Sequence, residues 1–198
     1  MNAHLHAELS VKRRGGQISD YYAIHSFLDA TKELCSDNRH RILHNLWGVR
    51  RVLIPIFGPT LINSDGKSIN VKDLCEQDHI LPDYKNRFIP TLADFVVEFE
   101  ELDEDEFQQI NDIYSRFDAY PDIQALLISP LNLTGHLAAL RITHNSWFCN
   151  EIVPKIFNLK PSLQDFGPLR LFEKMNFKLW MDNGAAIPAS AKKIQALL

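Results

Sequence analysis

The chain has no Cys-x-x-Cys pair. Its three cysteines, Cys35, Cys75 and Cys149, stand far apart and make an odd count, which excludes a thiolate zinc knuckle and a fully paired disulfide framework. No run approaches the roughly 18 uncharged apolar residues of a membrane-spanning helix; the longest apolar stretches, such as Val52 to Phe57, are of core length. The N-terminal segment carries His4, His6 and Glu8 ahead of Lys12-Arg13-Arg14, without the apolar stretch of a secretion signal. The G-x-S-x-G elbow, the phosphate loop G-x-x-x-x-G-K-[ST] and the dinucleotide fingerprint G-x-G-x-x-G are all missing. Positive charge is short as well: 21 Lys and Arg face 25 Asp and Glu, for a net charge of -4, which argues against nucleic acid as a partner. These absences predict a cytoplasmic protein with reduced thiols and no attachment to a membrane.

What is present suits a globular chain. Of 198 residues, 45% are hydrophobic and 23% charged, enough apolar material for one domain or two small ones. An internal repeat organises it. Arg41-Ile42-Leu43-His44-Asn45-Leu46-Trp47 recurs as Arg141-Ile142-Thr143-His144-Asn145-Ser146-Trp147, and each copy leads into an apolar stretch ending Ile56-Phe57 or Ile156-Phe157. Ile89-Pro90 and Ala93 recur as Ile187-Pro188 and Ala191. Order and spacing are kept, so the expected architecture is two diverged copies of one helical unit in a pseudo-two-fold arrangement. The expected divisions are a His-rich first unit over 1–99, an acidic connecting helix over 100–117 and a second unit over 118–198.

The expected fold class is mainly α with a small β-hairpin (α+β). Ser19 is a candidate N-cap for a helix to Leu34, and Asp37 for one ending at Ile54 before Pro55. Thr60-Leu61-Ile62 and Ser68-Ile69-Asn70-Val71 flank the turn residues Asn63-Ser64-Asp65-Gly66 and predict the hairpin. In the connecting segment, seven acids lie between Glu98 and Glu106. Phe107, Ile110, Ile113 and Phe117 continue at near-helical spacing, which predicts a helix whose acids form a solvated face.

Six of the eight histidines, His4, His6, His25, His40, His44 and His79, fall in the first 79 residues. His25 and Asp29 are four apart, as are His40 and His44, and Glu76 and His79 are three apart; each spacing stacks its pair on one helix face. Imidazoles and carboxylates converging from facing helices hold a divalent metal such as zinc, iron or manganese. The candidate ligands are therefore His25, Asp29, His40, His44 and His79, with Glu76 as candidate catalytic base. The second copy supplies an internal control. At the repeat offset His25 becomes Ala125, Asp29 becomes Ser129 and His40 becomes Leu140, while His44 persists as His144. The polar cluster belongs to the first copy alone, and His44 carries a structural reading beside the metal one.

The run His4-x-His6-Ala7, Gly15-Gly16, Asp20-Tyr21, Ile24-His25, Asp29, Lys32, Asp37-x-Arg39-His40-Arg41, His44, Gly48, Phe57-Gly58, Asn63-Ser64-Asp65-Gly66-Lys67, Glu76-Gln77 and His79 resembles a small group of uncharacterised bacterial and phage proteins described as a domain of unknown function. The resemblance covers about residues 1–99 and implies no known activity. It departs at Asp78, which separates Gln77 from His79, and in the additional second half. The extra half implies that single-unit relatives pair as homodimers and that this chain supplies the partner covalently, as a monomeric pseudo-dimer. The functional expectation is an uncharacterised metal-binding helical protein, with metal-dependent hydrolysis as its activity class. The alternative is a non-enzymatic binding or structural module of phage origin whose histidines organise the fold.

Overall fold

The computed structural model describes residues 1–159 with the exceptions of Ser36 and Glu98. The expected recurrence of Ile89-Pro90 and Ala93 as Ile187-Pro188 and Ala191 falls beyond residue 159, outside the described residues. Among those described, the chain divides into two compact units, the first ending at Thr91 and the second beginning at Leu92. The fold is mainly helical with one two-stranded antiparallel sheet, and no described helix is long and apolar enough to cross a membrane.

The first unit opens with a helical hairpin. α1 (Ala3–Arg14) is capped by Asn2, whose side chain accepts from Leu5 N at 3.0 Å, and places Lys12, Arg13 and Arg14 in its last turn, where the negative end of the helix dipole favours cations. α2 (Ile18–Leu28) starts one residue before the expected cap, Ser19, because Asp20 turns back to accept from Gln17 N at 2.7 Å. It also stops short of Leu34: Asp29 caps it, and a 3-10 turn (Ala30–Glu33) follows. Between the two helices Gly15 and Gly16 both have positive φ, 81° and 76°, which only glycine adopts freely. The β-hairpin turn is pinned to this loop, with Asp65 Oδ2 accepting from Gly16 N and Asp20 Oδ2 accepting from Ser64 N and Oγ.

The single helix expected from Asp37 to Ile54 is broken. Asp37 does cap, but only a 3-10 turn (Asn38–Arg41). The chain then leaves helical geometry and restarts because the fully buried Asn45 acts as a second cap, accepting from Gly48 N at 2.9 Å and donating to Ile42 O at 2.9 Å. α3 follows as an α turn (Leu46–Gly48), a π turn (Val49–Leu53) and a final α turn (Ile54–Phe57) that passes through Pro55. Proline in a helix lacks the N–H of the ladder and collides with the carbonyl four residues back. The wide turn relieves both problems, since Ile54 N donates five residues back to Val49 O just before the proline. The same device recurs in α4, built from Val71–Leu74, the π turn Cys75–Ile80 and Leu81–Asp83 around Pro82.

β1 (Thr60–Ile62) and β2 (Ser68–Asn70) form the expected hairpin, with Leu61 opposite Ile69. Ile69 points into the core and its neighbours Ser68 and Asn70 face solvent. The core of this unit gathers Tyr21, Leu28, Leu43, Leu53, Leu74 and Ile80, each essentially inaccessible.

In the second unit a short α5 (Ala93–Val96) precedes α6 (Glu104–Ser115). The acidic run is therefore only partly helical, and its last member, Glu106, is buried rather than solvated. α7 (Pro121–Thr134) leads to a 3-10 turn (Leu137–Ile142) and then to α8, a π turn (Phe148–Ile152) followed by Val153–Phe157 around Pro154. Asn145 accepts from Phe148 N at 2.9 Å and donates to Ile142 O at 3.0 Å. This local motif matches the one around Asn45. The match does not extend along the helix before it: α7 begins at Pro121, Ala125 is exposed where His25 is buried, and Ser129 and Leu140 are buried.

Candidate metal centre

Four side chains of the first unit bring one donor atom each into a group spanning no more than 4.8 Å: Asp29, His44, His79 and Asp83. Asp29 sits at the C-cap of α2, His44 in the break before α3, His79 in the π turn of α4 and Asp83 in its last turn. His79 Nε2 and His44 Nε2 are 3.0 Å apart, and both lie 3.5 Å from Asp29 Oδ1. Asp83 Oδ2 is 3.3 Å from His44 Nε2 and 3.8 Å from His79 Nε2. First-shell donors about 2.0 to 2.2 Å from an ion stand at most about 4.4 Å from one another, so the observed spread needs only a few tenths of an ångström of closure.

Both histidines are fully buried, and burial holds the His79 imidazole well below its usual pKa, with repulsion from neighbouring imidazoles adding to it. Burial would raise the two carboxyls, but the contacts from His44 and His79 to Asp29, and from His44 and His6 to Asp83, outweigh it and keep both ionised. The group thus presents imidazole nitrogens beside two ionised carboxylates, with Lys32 Nζ 2.7 Å from Asp29 Oδ1 and the Met1 amino group 2.8 Å from Asp83 Oδ1 on their outer sides.

Asp29 Oδ1 is buried and accepts no well-angled hydrogen bond, although the half-exposed Lys32 places Nζ 2.7 Å away. His6 Nε2 is likewise buried without a hydrogen bond, 3.2 Å from Asp83 Oδ1, with its ring stacked on that of His79 at 3.8 Å. Close approach without hydrogen-bond alignment is what donors aimed at a common ion display. On this test the residues fit a divalent metal.

The sequence candidates are distributed as follows. Asp29, His44 and His79 come together. His25 is fully buried directly behind His79, with its two nitrogens engaged by His79 Nδ1 at 3.0 Å and Ser10 Oγ at 2.9 Å; burial pushes its pKa down to about 3. His40 lies edge-on to His44, 6.0 Å between ring centres, with Nδ1 against Asp37 O at 2.6 Å and Nε2 accepting from Arg41. Glu76 pairs with Lys72 at 3.1 Å, and neither Glu76 nor His40 belongs to the four-donor group. Asp83 is the member the spacing argument passed over. It stands four residues after His79, the same interval as His25–Asp29, but Pro82 between them reads as a helix end. The π turn instead carries the helix through the proline.

The second unit keeps one counterpart. His144 is fully buried, with Nδ1 3.0 Å from Leu140 O and Nε2 unpaired, and burial pushes its pKa down to about 4. In the unfolded chain a histidine takes up its proton near pH 6.5. Stability is therefore complete above that pH and declines as pH falls, by about 1.4 kcal/mol per unit for this residue. Between pH 7 and 5, urea midpoints converted to free energy should show the wild type losing about 2 kcal/mol more than His144→Leu. Parallel pH profiles would refute this.

A family model described as Domain of unknown function (DUF6915) matches residues 1–103, a span that includes all four clustered side chains. No curated protein and no solved structure matches the chain.

Proposed function

This chain belongs to the family Domain of unknown function (DUF6915), and from that premise we propose that its first unit binds one divalent cation through Asp29, His44, His79 and Asp83. The observation that carries the reading is the convergence of four donors from three separate elements, three of them on buried residues. Surface acids gather without an ion, but a buried pair of carboxylates costs too much to keep unless a positive charge compensates. Lys32 supplies one positive charge at the exposed edge. The Met1 amino group, 2.8 Å from Asp83 Oδ1, supplies a second, and a divalent ion acts on the other side, where Asp83 Oδ2 faces His44 and His79.

The chemistry that fits such a centre is metal-dependent hydrolysis. A divalent cation held here would act as a Lewis acid and make a water bound to it more acidic. Four protein donors fill a tetrahedral zinc shell but leave positions open around manganese or iron(II), so the ion that co-purifies separates a structural centre from a catalytic one. The repeat at Asn45 and Asn145 supports the further reading that the second unit is a diverged copy without the donor set.

Elemental analysis of protein purified without an affinity tag tests the proposal. The wild type is expected to carry a single equivalent of zinc, manganese or iron, and Asp83→Ala to carry background amounts while keeping its helical circular dichroism. A metal-free wild type that also fails to take up any of these ions on titration would end the reading.

A further inference from the structure

Behind the four donors runs a row of hydrogen-bonding groups that a simple core does not need. His79 turns Nε2 toward His44 and the carboxylates, and its Nδ1 lies 3.0 Å from His25 Nδ1. His25 Nε2 lies 2.9 Å from Ser10 Oγ, and the Ser10 hydroxyl lies 3.2 Å from the carbonyl of His6 one turn back on α1. All four residues are fully buried, so each hydrogen bond in the row has to be made within it.

A neutral imidazole has one N–H and one lone pair, which leaves this row only two proton registers. In one, the Ser10 hydroxyl donates to His25 Nε2, His25 Nδ1–H donates to His79 Nδ1, and the His79 proton sits on Nε2, facing His44 Nε2. In the other, His79 Nδ1–H donates to His25 Nδ1, His25 Nε2–H donates to Ser10 Oγ, and Ser10 donates to the His6 carbonyl. Each ring holds one proton in both, so neither register takes up or releases a proton, and no heavy atom has to move. Only the second frees the Nε2 lone pair of His79 for a cation.

We infer that His25 and Ser10 are positioning residues for the metal centre, an outer shell that fixes His79 with its proton on Nδ1 and its lone pair on the ligand side. The inference rests on the metal-binding reading above. It gives His25 a place different from that of a ligand: His25 Nδ1 accepts the hydrogen bond from His79 Nδ1–H, which orients the His79 ring and makes its Nε2 more basic. Ser10 matters because it is the one group in the row that can both accept from His25 and pass its own proton onward to a backbone carbonyl.

Two measurements on the full chain test this. In protein labelled with 15N-histidine and loaded with zinc, two-bond proton–nitrogen correlations should place the His79 proton on Nδ1 and the His25 proton on Nε2, the His25 signals being assigned by their loss in His25→Leu. A zinc-loaded protein with the His25 proton on Nδ1 would overturn the inference while leaving the metal reading intact, whereas a protein that binds no zinc overturns both. In competition with a chelating dye, His25→Leu should bind the same single equivalent about 10- to 100-fold more weakly, and Ser10→Ala should weaken binding less. Undiminished affinity in His25→Leu counts against the role, and if that variant does not fold, the His25 signals are assigned by their shift in Ser10→Ala, which removes the hydroxyl 2.9 Å from His25 Nε2, and the proton positions in the wild type decide.

Discussion

Removing the divalent ion with a chelator at neutral pH is expected to destabilise the chain by about 4 kcal/mol, measured against protein with free ion at a thousand times its dissociation constant. For a chain of this size that is a fall in melting temperature of roughly 8 to 16 °C. The effect is large because the ion binds the folded state alone: Asp29, His44, His79 and Asp83 converge only when α2, α3 and α4 are packed, and in the unfolded chain they are scattered over more than fifty positions of sequence. The chelated protein also keeps two carboxylates side by side, compensated only by Lys32 at Asp29 and the Met1 amino group at Asp83. Asp83→Asn removes one of those charges and one ligand together, so its melting temperature should be the same with and without chelator. Identical melting curves for the wild type in ion and in chelator would contradict the expectation.

The second large effect belongs to the other unit. Arg141 and Glu106 form an ion pair with both side chains only 2% exposed, Arg141 Nε reaching Glu106 Oε1 at 3.0 Å and its NH2 group reaching Oε2 at 2.8 Å. The guanidinium also donates to the backbone carbonyls of Glu100 and Glu101, tying the acidic segment down. Glu106 closes the N-terminus of α6 at the same time, accepting from Asp103 N at 3.1 Å while Asp103 accepts from Glu106 N at 2.8 Å, the reciprocal arrangement of a capping box. Arg141→Ala strands a buried carboxylate and two carbonyls, which costs about 3 to 5 kcal/mol. The double change Arg141→Leu with Glu106→Met removes both charges and should recover much of that loss, because paired burial gains little over apolar packing of the same volume. Urea denaturation of the three proteins is the measurement. An Arg141→Ala protein within about 1 kcal/mol of the wild type would show that the pair is not structural.

Much was legible in the amino-acid order. Helical content, the hairpin at Asn63 to Gly66, the absence of a spanning helix and the crowding of histidine into the first half follow from periodicity, turn chemistry and composition, all of them local properties. The interval of four between His25 and Asp29 and between His40 and His44 pointed to the stretch in which Asp29, His44 and His79 meet.

What the order of residues could not decide is where each helix stops and how wide each turn is. Asp29 reaches the donor group because α2 ends there, which turns the carboxylate forward and leaves His25 behind, although four-residue spacing places both on one face. His79 and Asp83 act together because a π turn passes through Pro82, a residue that by itself argues for a helix end. Glu106, one of seven acids in a run, is buried because Arg141, thirty-five positions away, needs its charge. The sequence determined the elements and the chemistry available to them. Tertiary packing decided which side chains share a point in space, since burial and desolvation act between residues that only the folded chain brings together.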